Sequence, residues 1–102
     1  SAAEEVQKLL PKAKIVKAFN YVFAKNMETG MFGKEPLTAF VAGDDLDAKK
    51  KVMQLAKQIG FEPVDAGSLA ASRYLEAMAI LIINLGYGMK MGPDIGFRLI
   101  KQ

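Results

Sequence analysis

The sequence has no cysteine, no histidine and no tryptophan in 102 residues. Without thiols or imidazoles there is no disulfide, no thiolate nucleophile, no Cys/His zinc site and no Ser-His catalysis. Long apolar runs are missing too. The longest, Ala77 to Leu85, includes Asn84 and falls short of the roughly 20 residues that cross a bilayer. The first ten residues are amphipathic and acidic, unlike a basic and then apolar leader. The charge balance is slight, 14 basic against 11 acidic residues for a net +3. The one basic cluster, Lys49 to Lys51, reads as a solvated helix face, so no nucleic-acid partner is expected. Asp44, Asp45 and Asp47 lack calcium-loop spacing and face competing lysines, so they read as a helix cap and no metal is expected. The expectation is a soluble, cytoplasmic protein with no membrane partner.

What is present is ordinary for a globular domain, with 51% hydrophobic and 25% charged residues. A chain this size forms one core and hides about 60–65% of its unfolded surface. Position 1 is serine, already inside a helix pattern, so residues 1–102 are expected to be a single domain cut from a longer protein.

Ser1 and Glu4 form a capping box, Val6, Leu9 and Leu10 an apolar stripe, and Pro11 a stop. Lys14 to Asn20 reads as a strand, Tyr21 to Met27 as a helical turn or two, and Gly30, Gly33 and Pro36 as a loop. Leu37 to Gly43 is a second strand without polar alternation, as expected where both faces are covered. Asp44 or Asp45 caps a helix whose inward face is Ala48, Val52, Leu55 and Ile59, with the lysines outward and Gly60 as a left-handed cap. Phe61 to Ala66 is a third strand, placed near a sheet edge by Pro63. A helix from about Ala70 to Leu85, apolar nearly all round, is expected to be buried on several sides. The tail ends in a helical pattern through Ile95, Leu99 and Ile100. Alternating strands and helices predict an α/β fold, a three-stranded parallel sheet with flanking helices.

Gly86-Tyr87-Gly88 imitates a dinucleotide loop, but a helix precedes it and Met91 stands where a third glycine is required. It reads as a helix stop with a close chain crossing. Asp65-Ala66-Gly67-Ser68-Leu69 lies at the carboxyl end of the third strand. Open α/β sheets bind ligands there, though an ordinary strand-to-helix turn has the same composition. Asn20, after the first strand, either holds a carboxamide or caps the next helical turn. Arg73 and Glu76, three apart, suit a local ion pair. The six methionines suit adaptable core or interface packing.

Three ordered motifs carry a resemblance: Val16-Lys17-Ala18-Phe19-Asn20, then Val41-Ala42-Gly43-Asp44-Asp45, then Gly60 to Leu69 with Ser72-Arg73-Tyr74-Leu75-Glu76. Together they resemble the C-terminal half of the deazaflavin (coenzyme F-420)-dependent NADP reductases and are similar to the oxidoreductase domain of the STEAP metalloreductases. The resemblance implies the C-terminal part of a Rossmann-type NADP reductase, with the nucleotide-binding half absent from these residues. It also implies hydride transfer between NADP(H) and a deazaflavin or flavin, a small-molecule redox partner. Direct transfer between stacked rings needs no acid or base, so no catalytic residue is assigned. On this resemblance Phe19 and Asn20 lie near the nicotinamide, Gly67, Ser68 and Leu69 near the partner ring, and the long helix and glycine-rich tail shape the pocket and a homodimer interface. The fragment alone is expected to be inactive. The competing expectation is a small α/β interaction or dimerisation module without catalysis.

Overall fold

The computed structural model describes all residues from Ser1 to Gln102. Helix α1 (Ala2–Leu9) starts at the expected capping box: the Ser1 hydroxyl accepts from the Glu4 N–H at 3.2 Å, and the Glu4 carboxylate accepts from the Ser1 amino group. Gln7 ties the helix exit to the first strand. Its amide donates to the Leu10 and Ala13 carbonyls at 3.0 and 2.7 Å and accepts from the Ile15 N–H at 3.3 Å.

The fold is mixed α/β, with a sheet in the order β1 (Val16–Lys17), β4 (Thr38–Gly43), β5 (Glu62–Gly67). Between β1 and β4 come a 3-10 turn, Ala24–Met27, and a small hairpin of β2 (Met31–Phe32) and β3 (Glu35–Pro36) turning at Gly33. Strands β4 and β5 are parallel and joined by α2 (Leu46–Ile59), as a parallel pair requires a crossover. β5 lies at the sheet edge, as Pro63 implied.

The first strand departs from expectation. β1 is two residues long and antiparallel to β4, with Val16 opposite Gly43 and Lys17 opposite Ala42. The link from β1 to β4 holds only the 3-10 turn and the hairpin, without the crossover helix that returns a chain to run parallel. Past β1, the β4 edge is finished by other groups. The Tyr21 hydroxyl accepts from the Phe40 N–H and donates to the Phe40 carbonyl at 2.7 Å. The tail takes the next position: the Thr38 N–H donates to the Phe97 carbonyl at 2.9 Å, and the Leu99 N–H to the Thr38 hydroxyl at 2.8 Å. Residues 93–102 are therefore not helical. Gly92, Pro93 and Gly96 oppose a helix, and a Cβ at Gly96 would stand 2.6 Å from the Leu37 side chain.

Two apolar clusters sit on opposite faces of the sheet. Leu37, Ala39, Ala56 and Phe61 pack under α2, joined by Phe19 and Ile59, while Tyr21, Ala42 and Leu75 pack under α3 (Ser72–Ile83), joined by Phe40, Met78 and Phe97. The inward stripe of α2 contains Lys49 and Ala56, whereas Leu55 is exposed, so the expected face is rotated and one lysine points in. Asp45 caps α2 through the Ala48 N–H at 2.9 Å, and Gly60 ends it with φ 133°.

The last helix is longer and less covered than expected. A 3-10 turn (Leu69–Ala71), α3 and a π turn (Asn84–Gly88) form one 20-residue helical run, long and apolar enough to cross a membrane by length and composition alone. Of α3 itself only Ser72, Leu75 and Ile82 are buried. Tyr74, Ile80, Leu81 and Ile83 are exposed, and so are Tyr87, Met89 and Met91 beyond it. Gly86 marks the expected chain crossing: a Cβ there would meet the Phe23 ring at 2.8 Å and the Gly92 carbonyl at 3.1 Å.

Candidate functional site

The parallel pair ends in a bulge. Val41 faces Asp65 but Ala42 faces Gly67, so Ala66 is an extra residue in β5. Bulges bend a strand and re-aim the residues after them. Gly67 then takes φ 110°, a conformation that side chains with a Cβ rarely adopt. Three side chains fix the turn that results. The Asp65 carboxylate accepts from the Gly67 N–H at 2.8 Å, the Lys49 ammonium donates to the Gly67 carbonyl at 3.1 Å, and the Asp44 carboxylate accepts from the Leu69 N–H at 2.9 Å. Lys49 also pairs with Asp65 at 3.0 Å. The Lys49 hydrogen bond, followed by that of Gly67, holds the Asp65 carboxyl below its ordinary pKa.

Of the residues expected to meet the partner ring, Gly67 is half-buried, Ser68 exposed and Leu69 buried in the core. Leu69 therefore anchors the turn, and its N–H is already used by Asp44. Ser68, Leu69 and Ala70 line a groove of about 260 Å³ whose other wall is Glu4, Gln7 and Lys8 of α1. That wall is clamped to α3: Arg73 donates to both Glu4 carboxylate oxygens at 2.7 and 2.9 Å. This pairing, with the Ser1 amino group, lowers the Glu4 pKa to about 2. The expected Arg73–Glu76 ion pair does not form. Glu76 instead accepts from the Ala2 N–H at 2.7 Å, because α1 lies across the start of α3.

Phe19 and Asn20 lie elsewhere. Because β1 runs antiparallel, they do not follow the carboxyl end of a parallel strand. The Phe19 ring lies tilted 5.4 Å from that of Phe61, while the Phe19 backbone is two residues past Lys17, which the register places level with Gly67 two strands away. The Asn20 amide donates to the Leu75 carbonyl at 3.0 Å, tying its loop to the first turn of α3. Two features mark the pair. Phe19 has φ 67°, unfavourable for a bulky residue, and the buried Asn20 Oδ1 has no hydrogen-bond partner.

The larger groove, about 510 Å³, lies at the opposite end of the parallel strands, between the hairpin and the end of α2. Lys34, Lys57 and Glu62 are among its lining residues. Sequence reasoning missed it along with the hairpin. It also missed Lys49, although Lys49, Val52, Met53 and Ala56 share one helical stripe.

A mixed α/β domain with its parallel pair closed by a fixed strand-to-helix turn is thus the class defined by fold and site. No protein-family model matches the chain. Its homologues include an F420-dependent NADP reductase from Methanocaldococcus jannaschii, 38% identical over 91 residues, covering 88% of this chain and 40% of that protein. They also include metalloreductase STEAP3 from Rattus norvegicus, 37% identical over 84 residues, covering 81% of this chain and 17% of the relative. A solved structure from an Arthrobacter species, assigned as an F420-dependent NADP reductase, superposes with a TM-score of 0.89 at 29% identity. It covers 99% of this chain and 46% of that one. The chain thus spans less than half the length of the relatives it matches.

Proposed function

We propose that this chain is the acceptor-side part of an NADP-dependent oxidoreductase that transfers hydride between NADP(H) and a deazaflavin or flavin. The observation that carries the reading is its near-complete superposition on part of a protein assigned to that activity. The chain has no glycine fingerprint for a pyrophosphate, so these residues do not fit the whole dinucleotide, and its phosphate end is left to residues outside them. What they fit is narrower. A bulky residue in a left-handed conformation and a neighbouring unpartnered amide oxygen both cost stability, and such costs collect at ligand sites. Phe19 and Asn20 are accordingly assigned to the nicotinamide, with its carboxamide N–H as the donor for Asn20 Oδ1. Gly67 and Ser68 face the acceptor ring, with Leu69 as their anchor. The reduced nicotinamide supplies a hydride; with a proton from solvent it completes reduction of the acceptor. The experiment is NADPH oxidation by the intact natural protein with 8-hydroxy-5-deazaflavin, FMN or ferric ion as acceptor. Oxidation dependent on one of the two ring acceptors supports the reading, and none with either sinks it.

The exposed α3 face supports a second proposal, that two copies associate through it. From Ala77 to Met89 no residue is charged, so a second copy meets this face without like-charge repulsion. Light scattering on the intact protein at micromolar concentration should give twice the chain mass, and a single-chain mass contradicts it. A dimer without reductase activity would leave the interaction-module alternative standing.

A further inference from the structure

Lys49 has no place in the proposed hydride transfer, yet it is the most buried charged side chain in the molecule, only 5% exposed. Lysine is almost never buried unless paired, and a buried charge by itself adds little stability. Its two acceptors both belong to one short stretch, the Asp65 carboxylate and the Gly67 carbonyl. The chain has no cis peptide bond. In a planar trans peptide the N–H points opposite to the C=O. Lys49, by drawing the Gly67 carbonyl inward, therefore turns the Ser68 N–H away from α2 and outward at an exposed residue. An ammonium on the carbonyl also polarises the peptide and strengthens that N–H as a donor.

We infer that Lys49 is a positioning residue: it orients and polarises the Gly67–Ser68 peptide so that the Ser68 N–H donates to a carbonyl oxygen of the acceptor ring. The inference rests on the acceptor reading of this turn. It assigns Lys49 no contact with the ring. Asp65 and Asp44 hold the flanking N–H groups of Gly67 and Leu69, leaving Ser68 as the aimed donor.

Two substitutions test this in the intact natural protein. Ser68 has φ −66°, the value proline imposes, so Ser68→Pro suits the backbone at that residue while deleting the N–H. Lys49→Met keeps the unbranched apolar stem, one atom shorter, and removes the charge. Each should raise the KM for 8-hydroxy-5-deazaflavin by about five- to tenfold, the worth of one hydrogen bond, with the KM for NADPH unchanged. The double variant should be no worse than Ser68→Pro alone, since both remove the same donor. By NMR, Lys49→Met should move the Ser68 amide proton upfield and leave the α2 amides before Lys49 in place. An unchanged acceptor KM in Ser68→Pro overturns the inference even if Lys49→Met fails to fold, and so does an unmoved Ser68 amide in a folded Lys49→Met. If the protein has no reductase activity the function proposal fails separately, and the amide shift still decides whether Lys49 governs this peptide.

Discussion

The two helices flanking the sheet make opposite use of their outer surfaces. α2 turns Ala56 inward and most of its lysines outward, so water finishes it. α3 turns Leu75 and Ile82 inward and leaves Tyr74, Ile80, Leu81 and Ile83 outside, so water does not. The difference locates closure of the core and proposed assembly separately. The α2 side is closed around the core, and its single buried lysine reaches up to the turn at Gly67. The α3 side carries the clamp to α1, the loop of Asn20 and the uncovered stripe proposed as the face for a second copy.

The comparison breaks most readily at Gly60, where α2 ends. A Cβ there would stand 2.0 Å from the Thr29 carbonyl oxygen, at a φ of 133°. Gly60→Ala should cost roughly 3 kcal/mol or more in chemical denaturation, because backbone cannot yield as a side-chain tip can. A loss below about 1 kcal/mol would show that the α2 side is looser than its close contacts imply.

Tyr21 should have the next largest effect. Tyr21→Phe leaves both Phe40 backbone groups unpaired in a buried site, at about 2 kcal/mol. Burial pushes the Tyr21 pKa from 10.0 to about 12. A raised folded pKa means full stability below pH 10 and loss as pH climbs from 10 to about 12, by about 2–3 kcal/mol. Stability against pH should show this alkaline limb in the wild type and lack most of it in Tyr21→Phe.

What was legible in the sequence divides along the same line. The elements of the α2 side announce themselves: an Asp45 cap, a Gly60 stop, an apolar strand before and an edge strand with Pro63 after. The direction of β1 was not legible, because alternation of strand and helix presumes a crossover, and residues 18–37 hold a 3-10 turn and a hairpin instead. Neither was the tail. Ile95, Leu99 and Ile100 have helical spacing, but the free edge of β4 at Thr38 offers hydrogen bonds that only an extended chain can take. Tertiary pairing overrode local pattern there. At the candidate site the turn at Gly67 could be read from its composition, whereas Lys49 was hidden inside a run of lysines. The partner of Arg73 lies 69 residues away, beyond any local spacing rule.

Acid sharpens the contrast from the α3 side. Glu4 has its pKa lowered from 4.5 to about 2, first by Arg73. A lowered folded pKa contributes stability above the unfolded value and loses it as pH falls, here from about 4.5 toward 2. Thermal denaturation across that window should show the loss, and Glu4→Gln should flatten it. An equally steep acid limb in Glu4→Gln would place the acid-sensitive contact elsewhere.

The smallest effect on folding is expected on the open face. Ile80 is 70% exposed, so Ile80→Ser should change unfolding of the single chain by no more than about 0.5 kcal/mol. The same substitution should shift a dimer toward single chains in light scattering. A large loss of folding stability with an unchanged mass would mean that the stripe serves the fold.

The central claim, that the intact protein passes hydride from a nicotinamide to a ring held at the Gly67–Ser68 turn, is tested most directly with deuterium. NADPH carrying deuterium at both hydrogens of the transferring carbon is mixed with 8-hydroxy-5-deazaflavin and the protein, and the reduced acceptor is weighed by mass spectrometry. In a deazaflavin the receiving atom is carbon, so a transferred label does not exchange with water. The account predicts one deuterium per reduced acceptor, and a reduced acceptor without deuterium would contradict it.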